Sequence, residues 1–414
     1  MKILIINVHS GLNLGDDAIM RETLRGISKK YPDSVITIAA NDPESWQYYK
    51  TERINILPSI CTWIADCKNG NWRKKIFFMP FVMIYLIFAG YFYRFFNIPL
   101  SIGQENKKLL LQAYYGADLV LSCGGGNFYA HHAMSPSLVW GLMTLLFAVI
   151  LGKKKVMLPQ SIGVIEGKGQ RSLSKLVFSH VDTILLREGN SAKYLSNILH
   201  VNKPTKIFPD LAFGMIDNHK LVNESDRDKN DFFIGLSLLD RAAQDQNFKN
   251  QNEYEDAIYE FLCLLGKQQQ IKVFVFSQVT GPSEDQNDRL IAQRFFERVH
   301  TKIPTTLMPV FRSSQEIISS YRQMDLIVGT RMHTGIFALI ESVPLILIGY
   351  QPKACGMMNL LGLGQYCVPI NDLTADWLFE KSNELILNQR SIREIIEGQV
   401  NQMRLNLQSW VDYL

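Results

Sequence analysis

The stretch from Asp325 to Lys353, DLIVGTRMHTGIFALIESVPLILIGYQPK, restricts what this chain can fold into more than any other. Asp325–Val328 and Leu345–Tyr350 are short apolar runs bounded by glycine or proline, and a short helix is predicted between them, after Thr334. Runs of this length suit strands buried on both faces, as in parallel sheets covered by helices. The first strand leaves through a glycine turn that presents Arg331 and His333. In open α/β sheets, ligands bind outside the carboxyl ends of the strands, often at a helix N-terminus. A cation and a titratable imidazole two residues apart at such a place suit an anionic substrate.

The same alternation runs through the chain. Strands are predicted at residues 2–8, Val35–Ala40, Asp118–Cys123, Val156–Pro159 (followed by Gln160–Gly163) and Thr183–Leu186. Further strands are predicted at Phe232–Leu238, Lys272–Ser277 and Thr306–Pro309, with helices near Leu138–Leu151, Glu253–Lys267, Asp285–His300 and Ser314–Met324. Strands alternating with helices predict parallel sheets. A chain of 414 residues is too long for one ordinary core, so two domains are expected. The polar stretch 218–231 has no periodicity and reads as a linker. It separates an N-terminal Rossmann-like domain over 1–217 from a second one over 232–385, with a C-terminal helix over 386–414 that can pack back on the first. ADLVLSCGGGN in the first half echoes MDLIVGTRMHTG in the second. Two similarly built domains facing each other across a cleft would explain the echo; so would chance resemblance between buried strands.

Composition excludes several classes. With 47% hydrophobic and 20% charged residues the chain is globular. A net charge of +4, with no basic stripe interleaved with aromatics, argues against nucleic acid. Cys61, Cys67, Cys123, Cys263, Cys355 and Cys367 are scattered, which is neither a disulfide framework nor a metal array. MKILIINV reads as the start of a strand and not as a signal peptide, so a cytoplasmic location is expected.

One segment stands apart. Within 70–102, residues Ile76–Tyr93 carry no charge, with Arg73, Lys74 and Lys75 before them and Arg94 after. A helix of that length, at about 1.5 Å per residue, could just span a bilayer. A single crossing would separate the strand at 2–8 from that at 118–123, which belong to one sheet. Two readings remain: a helix on or dipping into the membrane surface, favoured by aromatics and basic flanks, or a buried or oligomer-forming hairpin.

The candidate chemistry sits at strand ends. After the first strand, HSGLNLGDDAI matches neither G-x-G-x-x-G nor a Walker A loop. Asp16 and Asp17 would repel phosphate there but could accept hydrogen bonds from sugar hydroxyls; the alternative is an N-cap with dipole complement. Gly124, Gly125, Gly126 and Asn127 follow a buried strand, where they could form an anion nest or allow close packing. His333 suits general acid–base work, and His9, His131 and His132 could border the same cleft. His200, His219 and His300 read as surface residues. Arg331 and Arg187 could fork a carboxylate or phosphate, or form structural ion pairs. No metal signature stands out.

Taken together, NVHSGLNLGDDAI, LSCGGGNFY, LPQSIGV, LLREGNS, PDLAF and GTRMHTGIFALIESVPLILIGYQPK resemble the polysaccharide pyruvyl transferase family, in the family's order, from residue 1 to about 365. The resemblance implies an α/β fold of two Rossmann-like domains facing across a cleft, like GT-B glycosyltransferases. It implies transfer of the pyruvyl unit of phosphoenolpyruvate, a donor substrate and not a cofactor, onto sugar hydroxyls of a cell-surface polysaccharide or its lipid-linked precursor, usually as a ketal. It places Arg331 and His333 in an R-x-H motif with His333 as general acid/base, and Arg187 as a donor ligand; Lys353 is a further candidate for substrate binding. Asp16 and Gly124–Asn127 would lie on the acceptor side. The apolar insertion departs from the simplest family pattern and points to a lipid-linked acceptor and a peripheral place at the inner face of the cell membrane. The competing functions are a nucleotide-sugar glycosyltransferase and a non-catalytic subunit of a polysaccharide assembly complex.

Overall fold

Short apolar strands joined by helices build two parallel sheets in the computed structural model, which describes residues 1–64, 72–130, 135–215, 231–245 and 248–414. The expected linker, 218–231, lies outside the described residues except for Asp231, as do His131, His132, His219 and the Asn127 side chain. Two domains result. The first comprises Met1–Gly11, Ile19–Leu211 and Asn406–Leu414, and the second Leu12–Ala18 and Ala212–Leu405. The glycine loop after the first strand therefore belongs with the second domain. Of the tail 386–414, all but the last nine residues belong there too.

The first domain contains β1 (Lys2–Val8), most of α1 (Leu14–Lys30), β2 (Val35–Ala40), β3 (Ile54–Pro58), α2 (Trp72–Phe96) and α3 (Glu105–Gly116). It continues with β4 (Leu119–Ser122), β5 (Gly125–Ala130), α4 (Pro136–Ile150), β6 (Lys154–Ile165), α5 (Lys168–Ser179), β7 (Thr183–Leu186), α6 (Gly189–Asn197) and β8 (Thr205–Ile207). Its strand order is β3-β2-β1-β4-β6-β7-β8, with β5 beside β6. The second domain contains β9 (Phe232–Ser237), α7 (Arg241–Gln244), α8 (Gln251–Gly266), β10 (Ile271–Phe276), α9 (Asp288–Val299), β11 (Thr305–Leu307) and α10 (Ser314–Tyr321). There follow β12 (Leu326–Gly329), α11 (Met332–Ile340), β13 (Leu345–Gly349), α12 (Pro352–Leu360), β14 (Cys367–Pro369), α13 (Ala375–Leu387) and α14 (Gln389–Leu407). Its order is β11-β10-β9-β12-β13-β14. In both sheets the strand order reverses beside the first strand, at β1/β4 and at β9/β12, the switch point where such folds bind ligands.

The sequence echo has a structural cause. Asp118 accepts a hydrogen bond from the Lys2 backbone N–H at 2.7 Å, and Asp325 accepts one from that of Phe233 at 2.8 Å. In each domain an acidic residue ahead of the fourth strand thus clamps the start of the first. Asp182 repeats the device on the Lys155 N–H at 2.8 Å.

Three expectations are corrected. The strand expected at Val156–Pro159 runs on to Ile165, because Gln160, Ile162 and Ile165 pair with β5 and Gln160 also with β7. Gly125–Ala130 is itself a strand, so the triple glycine is not an open nest. Cys355 and Cys367 form a disulfide with Cα atoms 5.4 Å apart. Only the placement of β14 beside β13 brings these two together, so their spacing gave no signal.

The last nine residues pack within the first domain. A β-carbon at Gly26 would lie 2.1 Å from the Trp410 ring, and Lys30 Nζ donates to the carbonyl oxygens of Val411 and Leu414 at 2.7 and 3.1 Å. Helix α2 contains the one candidate span among the described residues, Phe77–Phe96.

Candidate active site

The segment Gly329–Gly335 makes the second switch point, and nearly every residue in it has an assignable task. Gly329 ends β12 so close to Thr334 that a β-carbon would meet its Cγ2 at 2.4 Å. Thr330 donates its N–H to Ser237 at the end of β9 (3.0 Å), and its hydroxyl meets that of Tyr254 at 2.7 Å. Thr334, fully buried, donates its hydroxyl to Ser237 Oγ or Gln278 Oε1, each at 3.0 Å. A β-carbon at Gly335 would press on Leu347 of β13 at 3.3 Å. The first turn of α11 is thereby fixed to the ends of β9 and β10, and α11 begins three residues earlier than the sequence suggested. Gln278 Nε2 is buried and has no hydrogen-bond partner among the described residues, a donor left for a ligand.

Arg331 occupies the N-cap position of α11. Its guanidinium forks onto Asp288, with Nε to Oδ2 at 3.1 Å and Nη2 to Oδ1 at 2.6 Å. Burial pulls this guanidinium down, but Asp288 and Tyr350 more than reverse it, and Arg331 is held above its usual range. Asp288 is pushed up by complete burial, opposed by Arg331 and by the N–H groups of Val279 and Gln278. We take the pair as ionised, because a guanidinium keeps its proton at any physiological pH. The fork expected for a substrate anion is thus turned onto Asp288, and Nη1 is the nitrogen that remains outside it.

His333 is half-buried in the first turn of α11, with its ring centroid 6.2 Å from that of Phe337. Against it lies the Leu12–Ala18 segment. This segment is held by Leu14 N–H to Gln278 O (3.2 Å) and Thr280 N–H to Leu12 O (3.0 Å). A β-carbon at Gly15 would fall 2.1 Å from His333 Nδ1. Asn13, not Asp16, is the cap here: its Oδ1 accepts the Gly15 N–H at 3.1 Å. Asp17, fully buried, accepts from the Ser314 N–H (2.7 Å) and hydroxyl (2.6 Å) at the start of α10, which assigns it a structural task. Asp16 is half-buried next to Gly15, and Lys353 is half-buried on the first turn of α12, after β13.

In the first domain Gly124 is needed for packing, since a β-carbon would lie 2.9 Å from the Pro159 carbonyl oxygen, and Gly125 has a φ of +129°. Arg187 is 6% exposed, paired with Asp210 and bonded to Ser161 Oγ at 2.8 and 3.2 Å. Its guanidinium is engaged by Asp210 and Ser161 within the first domain. His9 lies at the end of β1, with Nδ1 3.3 Å from the Asn41 amide. His200 and His300 stand at the surface. Sequence reading missed Asp288, Gln278 and Ser237, which lie 43 to 94 residues before Arg331 and carry no local signature. Ser161 and Asp210 lay inside the quoted LPQSIGV and PDLAF motifs.

A family model described as polysaccharide pyruvyl transferase matches residues 13–352. The amylovoran biosynthesis protein AmsJ of Erwinia amylovora is 25% identical over 422 residues, covering 98% of this chain and 97% of the relative. Among solved structures, a glycosyltransferase from Rickettsia africae superposes with a TM-score of 0.57 at 13% identity, over 99% of this chain and 98% of the other. HepE of Anabaena, solved with UDP and glucose, gives 0.55 at 13% identity over the whole of both chains. The UDP-GlcNAc 2-epimerase of Methanocaldococcus jannaschii gives 0.53 at 11% identity over 92% of each. At these identities the likeness speaks for the fold alone, two Rossmann-like domains of the GT-B kind.

Proposed function

That this chain belongs to the polysaccharide pyruvyl transferase family is the premise from which we propose that it moves the pyruvyl group of phosphoenolpyruvate onto the hydroxyls of a saccharide. It is an enzyme, a transferase of polysaccharide biosynthesis. The observation that carries the finer reading is the placement of Arg331 and His333. The first caps α11 and the second stands in its first turn, at the switch point of the second sheet.

In this reading the donor's phosphate or carboxylate lies at the N-terminus of α11, where N–H groups and the helix dipole favour an anion. Arg331 supplies an oriented positive charge through Nη1, its fork being held by Asp288. Gln278 Nε2 and Lys353 supply further donors. His333 delivers a proton to the methylene carbon of phosphoenolpyruvate, so C2 becomes electrophilic. It then takes the proton of the sugar hydroxyl that adds to C2. Inorganic phosphate leaves with the electrons of the C2–O bond, and a second hydroxyl closes the ketal and gives its proton to the departing phosphate. No cofactor enters.

Asp16 is proposed for the acceptor, a repeating unit carried on a lipid in the cytoplasm. Arg187, closed on Asp210 and Ser161, is proposed to hold β6 in place within its own domain. Incubating the protein with phosphoenolpyruvate and a lipid-linked glycan should release inorganic phosphate and add one pyruvyl ketal to the product mass. Glycan extension from a nucleotide sugar, without phosphate release from phosphoenolpyruvate, would favour the glycosyltransferase reading instead.

A further inference from the structure

Helix α2 is apolar on two opposite faces, and only one of them has a use inside the protein. Leu86 and Ala89 are fully buried, and a β-carbon at Gly90 would press on Ile150 of α4 at 2.7 Å. Met79, Val82, Tyr85 and Tyr93 pack on the same core. On the other side Phe77, Phe81, Ile84, Phe88, Tyr91 and Phe95 are between 47% and 77% exposed. At about 100° per residue these six fall within an arc of about 80°, a single stripe along the helix. Ile98 and Ile102, in the segment that follows the helix, are exposed as well. Single exposed apolar residues are ordinary, but a continuous stripe this long marks a docking surface.

We propose that this face of α2 lies in the plane of an anionic lipid bilayer, with its aromatic rings at the headgroup–acyl boundary. Charge argues for this partner. Between Asp66 and Glu105 the sequence carries five basic residues and no acidic one, with Arg73, Lys74 and Lys75 at one end of the helix and Arg94 at the other. A basic, aromatic-rich amphipathic surface binds anionic lipid. A second copy of the chain would bring these basic ends together in either helix direction. The packing of its inner face on α4 favours a helix lying in the bilayer plane over one that crosses it. The inference rests on α2 alone and holds whichever donor the enzyme uses.

The test is co-sedimentation of the full chain with vesicles, either pure phosphatidylcholine or a mixture with phosphatidylglycerol, at low and high salt. The wild-type chain is expected to bind the mixed vesicles at least tenfold better than the neutral ones and to lose that preference in high salt. Phe81→Ser/Phe88→Ser should weaken binding at least tenfold with an unchanged melting temperature, since both side chains are exposed. Lys74→Ser should weaken it about fivefold, the cost of one basic contact near the surface. Equal binding of wild-type chain and double variant would overturn the proposal. So would a concentration-dependent dimer, abolished by the double variant, that ignores vesicles.

Discussion

Gly15 lies against the imidazole of His333 so closely that a β-carbon there would stand 2.1 Å from Nδ1 and 2.4 Å from Cγ. Both residues belong to the second domain, although Gly15 comes from the loop that follows the first strand of the first. A glycine of this chain's first βα loop thereby sets the position of the residue assigned to proton transfer. Gly15→Ala should displace the ring and lower turnover by about two orders of magnitude, while overpacking costs about 1–3 kcal/mol of stability. Paired kcat and melting measurements check this; an alanine variant with wild-type turnover would show that His333 tolerates movement.

Thr334 connects the start of α11 to the ends of β9 and β10. Thr334→Val keeps the shape but removes the hydroxyl between Ser237 and Gln278, which should cost about 1–3 kcal/mol. Thr334→Ser should retain most of that stability. Denaturant titrations of the two variants separate the hydroxyl from the methyl group, and equal losses would contradict the assignment.

Asp288 holds Arg331 in a pair in which both side chains are largely buried. Asp288→Asn leaves the guanidinium in place without its counter-charge, at an expected cost of about 3 kcal/mol or more. The affinity for phosphoenolpyruvate should change in the same variant, because Arg331 would be released to fork the substrate. A fully stable variant with an unchanged KM would separate Asp288 from the site.

Burial pushes the Tyr115 hydroxyl up to about 12 and raises those of Tyr114, Tyr254 and Tyr321 still further. The neutral phenol is thus favoured in the folded chain. The unfolded chain ionises first, from about pH 10. The contribution of these groups is fully present below pH 10 and lost as pH rises from there through 12. Ultraviolet phenolate absorbance should therefore rise for these tyrosines together with unfolding. A rise well before the loss of helical signal would count against their burial.

Much of this was legible in the sequence, and the remainder was hidden for physical reasons. Buried parallel strands are apolar at every position, so β9, β10, β12 and β13 declared themselves, and so did the R-x-H turn between two of them. The echo of Asp118 and Asp325 marked real equivalence, because each clamps the first strand of its sheet. Strand β5 was hidden because Gly125 and Gly126 carry no side-chain pattern, and the β6 extension because Gln160, Ser161 and Gly163 interrupt its apolar run. Asp288 could not be read, since the pairing that makes it matter joins residues 43 positions apart. Arg187 was read by its place after a strand. What decides its task is Asp210, which only the folded chain brings to it.

The claim at the centre of this account is proton transfer by His333 during pyruvyl transfer. The direct measurement is inorganic phosphate released from phosphoenolpyruvate in the presence of acceptor glycan, for the wild-type chain and for His333→Ala at matched folded concentration. The account predicts release by the wild-type chain, a fall of at least a thousandfold in the variant, and melting temperatures within a few degrees of each other. Near wild-type release from His333→Ala would remove the histidine from the mechanism, and no release from a folded wild-type chain with any lipid-linked glycan would contradict the donor itself.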